Sequence, residues 1–476
     1  MKLFLPVLLL TSTLIPVAAE EIGSSDLLID DALGGFDSEE SVDNLLGGFD
    51  ENGFEEGEFG SSVESELSLP ENSVSAIRGH WVTGSSWNIA GSSPTADRLT
   101  RLSTKLWLES EQDLGGGWKL HGDGFLRYDL AYSINGRNQY TGGVVDGYEQ
   151  DAEIGEFWVR GSLTPDLDLK VGRQVVVWGQ SDYLRVNDVL NPLDLREPGL
   201  VDIETLRRPI GMLKTDYYQG DWRWSALLIS ENRPNLSAPC GSEYSLAGVV
   251  TQASCDSSAV PVELSDDGLS DAEYALSAMG RFSGWDLSLY AGRLNYDTPY
   301  KDAAGANNVM RNARVSHLGA AINIAEGSWL WKGELALVDG LRYFNTGAAK
   351  KSRFDLLLGG EYRGITNSTL SFEVLRRHIN GYESSLTNST DFQDESSWQS
   401  VLGYTRDLRN DTIHLKGVIL RNGNIFNDGG YLRLSTKYDL RDQWSVTGGG
   451  IWYDATKYRP DWSDNDRLFI EARRDF

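Results

Sequence analysis

From Ser75 to the C-terminus the chain is a succession of short segments in which apolar and polar side chains alternate with period two, separated by connections that are by turns short and long. Alternation of this kind marks strands with one apolar face. In "LHGDGFLRYDL" one face carries Leu120, Gly122, Gly124, Leu126, Tyr128 and Leu130, and the other His121, Asp123, Arg127 and Asp129. "WLWKGELAL" sets Trp329, Trp331, Leu335 and Leu337 against Lys332 and Glu334, and "TLSFEVLRR" sets Leu370, Phe372 and Val374 against Glu373 and Arg377. A soluble sandwich could hide such faces against a second sheet, so the connections have to decide. "QGD" after Tyr218, "SG" before Trp285, "EGS" before Trp329 and "ITN" before Ser368 are tight, whereas Ser230 and Asp271 are joined by a stretch of 40 residues. Strict alternation of tight turns and long loops is the pattern of an outer-membrane barrel, with its turns in the periplasm and its loops outside. Eighteen candidate strands run from 75–83 to 465–476, an even number that puts both termini on the periplasmic side. The expected fold is all-β, a transmembrane antiparallel outer-membrane β-barrel of 16–18 strands over residues 73–476.

The first residues agree with that destination. "MKLFLPVLLLTSTLIPVAA" joins a lysine, an apolar run and small residues, which reads as a secretory signal peptide over residues 1–19, cleaved near Ala19. No later window approaches the ~18 consecutive apolar residues of a spanning helix. Residues 20–72 hold 17 Asp or Glu and no Lys or Arg, more than half of the net charge of −27. They lack periodicity and are expected to be a disordered periplasmic tail. The remainder is only mildly acidic, which argues against a nucleic-acid partner.

Inside the tail "ALGGFD" at 32–37 returns as "LLGGFD" at 45–50. Leu33 with Phe36 and Leu46 with Phe49 are isolated apolar anchors followed by Asp37 and Asp50, and each Gly-Gly lets the backbone turn so that both anchors can enter one pocket. A repeated docking motif for a periplasmic protein is the expected role, with two copies raising effective concentration. A low-complexity spacer and an acidic plug for the lumen are the alternatives.

Aromatic residues such as Trp81, Trp285, Trp329, Trp444, Tyr217 and Tyr438 gather at strand ends, as girdles facing outer-membrane lipids require. The closing "RLFIEARRDF" puts Leu468, Ile470, Ala472 and Phe476 on one face, a final strand of the kind read by the barrel-assembly machinery.

Catalysis has little support. His80, His121, His317, His378 and His414 are scattered, no G-x-S-x-G elbow occurs and no His/Cys/carboxylate spacing suits a metal, so no catalytic residue, metal or cofactor is assigned. Cys240 and Cys255 lie close in an exported chain and are expected to form a local disulfide.

On inward faces the basic candidates are Lys119, Arg127, Arg160, Lys332, Arg363, Arg377, Lys416, Arg433, Lys437, Arg467 and Arg473. Asp123, Asp129, Glu156, Glu334, Asp355, Glu361, Glu373 and Glu471 are the acidic ones. Pairing across strands around a watery interior is the plain reading, and a slight basic excess favouring anions is the sharper one. The most informative stretch is Leu169 to Pro209, a strand that leads into a loop dense in Arg, Asp, Asn and Pro. Arg173 shares the lipid-facing parity of Leu169 and Val171, so a bulge or an interfacial position is expected for it. The loop is expected to fold into the lumen, where Arg173, Arg185, Asp188, Asp194, Arg196, Glu197, Arg207 and Arg208 would set the constriction and Gln174, Trp178 and Asn191 would brace it.

"VGRQVVVWGQSD" with "RVNDVLNPLDLRE" resembles the signature of a proteobacterial outer-membrane barrel family of unknown function, distantly similar to alginate-export barrels. The resemblance implies a barrel of about 18 strands, gene neighbourhood with RND-type (MMPL) transporters and a periplasmic lipoprotein-sorting-like protein, and no particular substrate. Alginate would suit a strongly basic pore, which this mixed lumen is not. The expected function is an outer-membrane channel working with an RND-type transporter and a periplasmic partner. A docking scaffold with little conductance is the second reading, and a barrel enzyme acting on lipids the third.

Overall fold

The computed structural model describes residues 77–90, 98–200, 206–245, 248–302, 308–388, 391–424 and 427–476. The signal peptide, the acidic tail and both LGGFD copies lie outside the described residues.

Eighteen antiparallel strands close into one barrel: β1 (Ile77–Asn88), β2 (Leu99–Gly115), β3 (Trp118–Asp129), β4 (Gln150–Thr164), β5 (Leu167–Gln174), β6 (Ile210–Gln219), β7 (Trp222–Ile229), β8 (Glu273–Phe282) and β9 (Trp285–Asn295) form the first half. A small hairpin of β10 (Tyr300–Asp302) and β11 (Val309–Arg311) stands outside the barrel sheet. The second half is β12 (Arg314–Glu326), β13 (Trp329–Arg342), β14 (Lys350–Ile365), β15 (Ser368–Asn380), β16 (Ser396–Leu408), β17 (Ile413–Asn422), β18 (Gly430–Arg441), β19 (Trp444–Asp454) and β20 (Arg467–Asp475). Each strand pairs with its neighbours in sequence, and β1 pairs with β20 from His80↔Asp475 to Asn88↔Arg467, so no edge is left open. Gly79 and the terminal Phe476 exchange backbone hydrogen bonds at 2.9 Å, which locks the seam.

The tight turns are made by residues that tolerate left-handed backbone, among them Gly220, Gly284 and Gly327. Aromatic rings collect beside these turns. Phe282 stacks on Trp285 at 4.3 Å and Trp329 on Trp331 at 4.8 Å, giving an aromatic girdle at the turn end of the barrel, as the strand ends predict. Leu126, Leu276, Leu318 and Leu358 are exposed on the outer face, where the bilayer covers them.

The interior differs from a uniformly watery lumen. Two apolar clusters fill much of it, one around Leu184, Leu193, Leu357, Val418 and Tyr431, the other around Trp178, Leu190, Tyr290 and Val338. Each combines residues of an inserted loop with apolar residues of the inner wall, so the barrel has a packed core on that side.

Candidate functional site: a loop anchored inside the barrel

Loop 3, residues 175–209, connects β5 to β6 and turns into the barrel at its first residue. Two acceptors make the turn. Glu156 Oε1 accepts the Val175 amide at 2.6 Å, and Asn191 Oδ1 accepts the Val176 amide at 2.8 Å. Asn191 also donates to the carbonyls of Gln174 and Arg208, so one side chain ties the loop's entry to its exit. Gln174, fully buried, donates to the Met212 carbonyl at 3.2 Å.

Across the lumen, carboxylates of the wall hold the loop's backbone. Glu334 on β13 accepts the amides of Gln180 at 2.6 Å and Ser181 at 2.7 Å, and the Asn187 side chain at 2.8 Å. Glu373 on β15 accepts the amides of Asp182 at 2.7 Å and Leu184 at 2.9 Å. Lys332 pairs with Asp182 and, at 3.2 Å, with Glu361. Arg377 donates to the Arg185 carbonyl at 2.6 Å and to Gln399 at 2.8 Å. A buried backbone stretch without secondary structure must have its polar groups satisfied by side chains, and these wall residues do that.

The charged residues expected at the constriction therefore have distinct placements. Arg185 and Arg207 both pair with Asp188, at 3.2 and 2.8 Å, and all three are largely buried within the loop. Burial pushes the Asp188 carboxyl up, but the two guanidiniums outweigh it and hold it below the usual carboxylate range. Arg196 pairs with Asp194 and with Asp151 of β4, each at 2.6 Å. Burial likewise opposes the Arg196 charge at Asp194, and the net displacement of Asp194 is downward. Glu197 meets Arg101 of β2 and, at 3.7 Å, Arg127 of β3. Arg208 lies 3.4 Å from Glu153, and burial together with Arg233 lowers it to about 10. Trp178 stacks on Tyr290 at 4.9 Å and is buried, 4% exposed. Arg173 stands apart: it pairs with Glu231 of the following outer loop and donates to the Ile154 carbonyl, at the rim of the barrel. No inward bulge is needed for it.

Loop 4, residues 230–272, also enters the interior. Asn235 Oδ1 accepts the Leu193 amide at 2.7 Å, and the Leu236 amide bonds to the Leu193 carbonyl at 2.8 Å. Farther on, Arg467 of β20 pairs with Glu243, and Arg459 donates to the Tyr244 carbonyl at 3.0 Å. The Cys240–Cys255 disulfide closes this loop, with Cα atoms 5.9 Å apart. The sequence pattern carried no signal for this second inserted segment, because its composition is that of an ordinary polar loop.

One grouping of metal-ligand types occurs among the described residues, His121 and Asp123 on β3 with Glu156 at the β4 irregularity, all ligand atoms within 4.8 Å. Their atoms already serve as a brace. Asp123 accepts the Glu156 amide at 3.1 Å and contacts His121 at 3.1 Å, Glu156 holds Val175, and Lys170 lies 3.7 Å from Glu156.

Two further cations stand on β2 beside loop 3, Arg101, which meets Glu197, and Lys105. Arg101 and Lys105 alternate with Leu102 and Leu106 on β2, and that period-two signal could have found them. Lys105 rests over the Phe125 ring, 4.3 Å from its centre, and makes no ion pair among the described residues.

A closed 18-stranded antiparallel barrel with lipid-facing leucines, an aromatic girdle and an inserted third loop is an outer-membrane β-barrel of porin-like fold. The chain belongs to the family described as "Protein of unknown function (DUF1302)", which matches residues 61–476. Among solved structures, Acinetobacter baumannii OccAB3 is similar with a TM-score of 0.51 at 9% identity, covering 85% of this chain and 99% of that one. The Pseudomonas aeruginosa outer membrane protein opdK gives a TM-score of 0.47 at 11% identity over 84% of this chain and 98% of that one. At such identities the likeness concerns the fold alone. No curated protein sequence matches.

Proposed function

We propose that the protein is an outer-membrane channel whose passage runs beside loop 3, along the inner faces of β1–β3 and β18–β20, and favours small anions. The observation that carries this reading is the asymmetry of inner-wall burial. Asp355 and Glu373 on the far wall are 0% and 1% exposed beneath the loop, whereas the inward-facing Glu471 and Arg473 of β20 are exposed to water, on the turn side of the level at which loops 3 and 4 cover Tyr431, Ile451 and Arg467. Along that lane Lys105 makes no ion pair among the described residues and rests over the Phe125 ring, near Arg101 and Arg127, which pair with Glu197. Charges in a confined aqueous passage weigh more than at a free surface and bias which ions enter.

An RND-type transporter and a periplasmic protein would deliver or collect the solute, and the LGGFD repeats would recruit them, with the acidic tail leaving β1 on the periplasmic side. The packing of loops 3 and 4 into the interior favours a second reading, a docking component with little conductance of its own. Planar-bilayer recording of the purified full chain separates the two. A steady current that prefers anions supports the channel; a silent barrel that retains a transporter supports the scaffold.

A further inference from the structure

Arg376 on β15 points out of the barrel, since its neighbours Leu375 and Arg377 are both buried on the lumen side. It is exposed, and among the described residues it makes no ion pair. Beside it on the outer face lie Leu356, directly across on β14, and Val374, two positions back, both exposed apolar side chains of the lipid band. On its other side it faces Trp398 of β16, with its guanidinium carbon 5.5 Å from the ring centre. His378, next on the same face, contacts Ser396 at 2.9 Å.

An arginine turned toward lipid is strongly unfavourable at mid-bilayer and nearly free of cost at the headgroup level. β15 runs from a periplasmic turn at Asn367 to an outer loop after Asn380, so Arg376 lies near the outer end of its strand. A tryptophan beside it marks the same interfacial level. At that level the anions available to an unpaired guanidinium are headgroup phosphates.

Trp398 has a second role. It lines a cavity of about 500 Å³ between the outer ends of β16 and β17 and the loop before β20, together with Tyr458, Trp462, Asn422, Asp428 and Lys457. Flat aromatic faces combined with amide and carboxylate groups suit a polyhydroxylated ring, which needs an apolar platform and many hydrogen-bond partners at once. Tyr458 is held in place by its hydrogen bond to Asp394 at 2.8 Å, and Lys457 by the same carboxylate at 2.7 Å. One ring thus connects an outward cation at the lipid edge to a cavity fit for sugar.

We propose that Arg376 and the Trp398–Tyr458 cavity hold the phosphorylated sugar headgroup of an outer-leaflet glycolipid. Arg376 takes the phosphate, the cavity takes the adjoining sugar, and the acyl chains descend along Leu356 and Val374. The apolar flank of Arg376 selects a lipid over a soluble sugar phosphate.

The test uses the purified full chain in detergent, titrated with a phosphorylated lipid A-type glycolipid and with its dephosphorylated form, bound species being counted by native mass spectrometry. The expected result is a roughly tenfold or greater loss of affinity on removing the phosphates or on R376Q, as one charge-assisted contact is worth. W398A weakens binding too. R293Q, at another outward arginine with its own partner in Ser316, leaves it unchanged. All variants must keep the heat-modifiable gel mobility of a closed barrel, and a variant that loses it is replaced by R376K, which retains binding if charge is what matters. Equal binding by wild type and R376Q, indifference to the phosphates, or displacement by soluble glucosamine phosphate at matched concentration would each overturn the proposal.

Discussion

Lys332, on the inner face of β13, forms an ion pair with Asp182 of loop 3, a residue 150 positions earlier in the chain. Wall and loop are joined here by groups that are both largely out of water, with Glu361 as a third member. Charges withdrawn from solvent are tolerable only when such a set is complete, so the loop's position is all-or-none.

The first prediction concerns that dependence. Replacing Glu334 or Glu373 with alanine strips several loop amides of their acceptor inside the barrel. Each buried amide left without an acceptor costs about 1–3 kcal/mol, enough in sum to release loop 3 from the wall. Single-channel conductance should rise severalfold in either variant, with the barrel itself still folded by gel mobility. Currents equal to wild type would show that loop 3 does not restrict the passage.

pH dependence follows from the loop's own carboxylates. Asp188, between Arg185 and Arg207, and Asp194, against Arg196, are both held below their ordinary value. A carboxyl with a depressed folded value contributes stability above its unfolded pKa of about 3.9 and loses it as pH falls through the lower folded value. Current and loop 3 protease resistance should therefore be level from neutral pH down to about pH 5 and change only below about pH 4. A transition at or above about pH 6 would show that these two carboxylates do not set the loop's acid limit.

Selectivity should respond to Lys105. K105Q removes a cation from the proposed lane without unpairing a carboxylate, so the reversal potential in a salt gradient should shift toward cations while conductance changes little. R173Q, altering the pair with Glu231 at the rim, should leave the reversal potential where it was.

Loop 4 carries its own staple. Cys240 and Cys255 are 15 residues apart, a closure that constrains the open loop by roughly 3 kcal/mol. The double serine variant should become cleavable by trypsin-independent proteases within loop 4, while the barrel's thermal transition stays within a few degrees of wild type. A collapse of the whole barrel would mean that loop 4 is part of its folding unit.

Several strand limits were readable from alternation alone. The expected spans 210–219 and 396–408 coincide with β6 and β16. Others moved for identifiable reasons. β2 continues to Gly115, past the expected 109, because "ESEQD" is polar on both faces where the strand nears the periplasmic water, and alternation loses contrast there. β5 stops at Gln174 instead of continuing to 177, because Glu156 and Asn191 capture the amides of Val175 and Val176 and turn the chain inward.

What the order of residues determined by itself is the barrel: a period-two pattern exposes one face to lipid, and tight and long connections alternate because the two sides of the membrane differ. The unusual density of charge in 175–209 also marked the loop that enters the lumen. Only the tertiary structure decided which partners those charges take. Asp182 meets Lys332, Arg196 meets Asp151, Glu197 meets Arg101, and Arg173 leaves for the rim, because partners inside a closed barrel come from segments that are remote in sequence and brought together by closure. Local periodicity records which face a residue takes on its strand; it holds no record of what stands across the lumen.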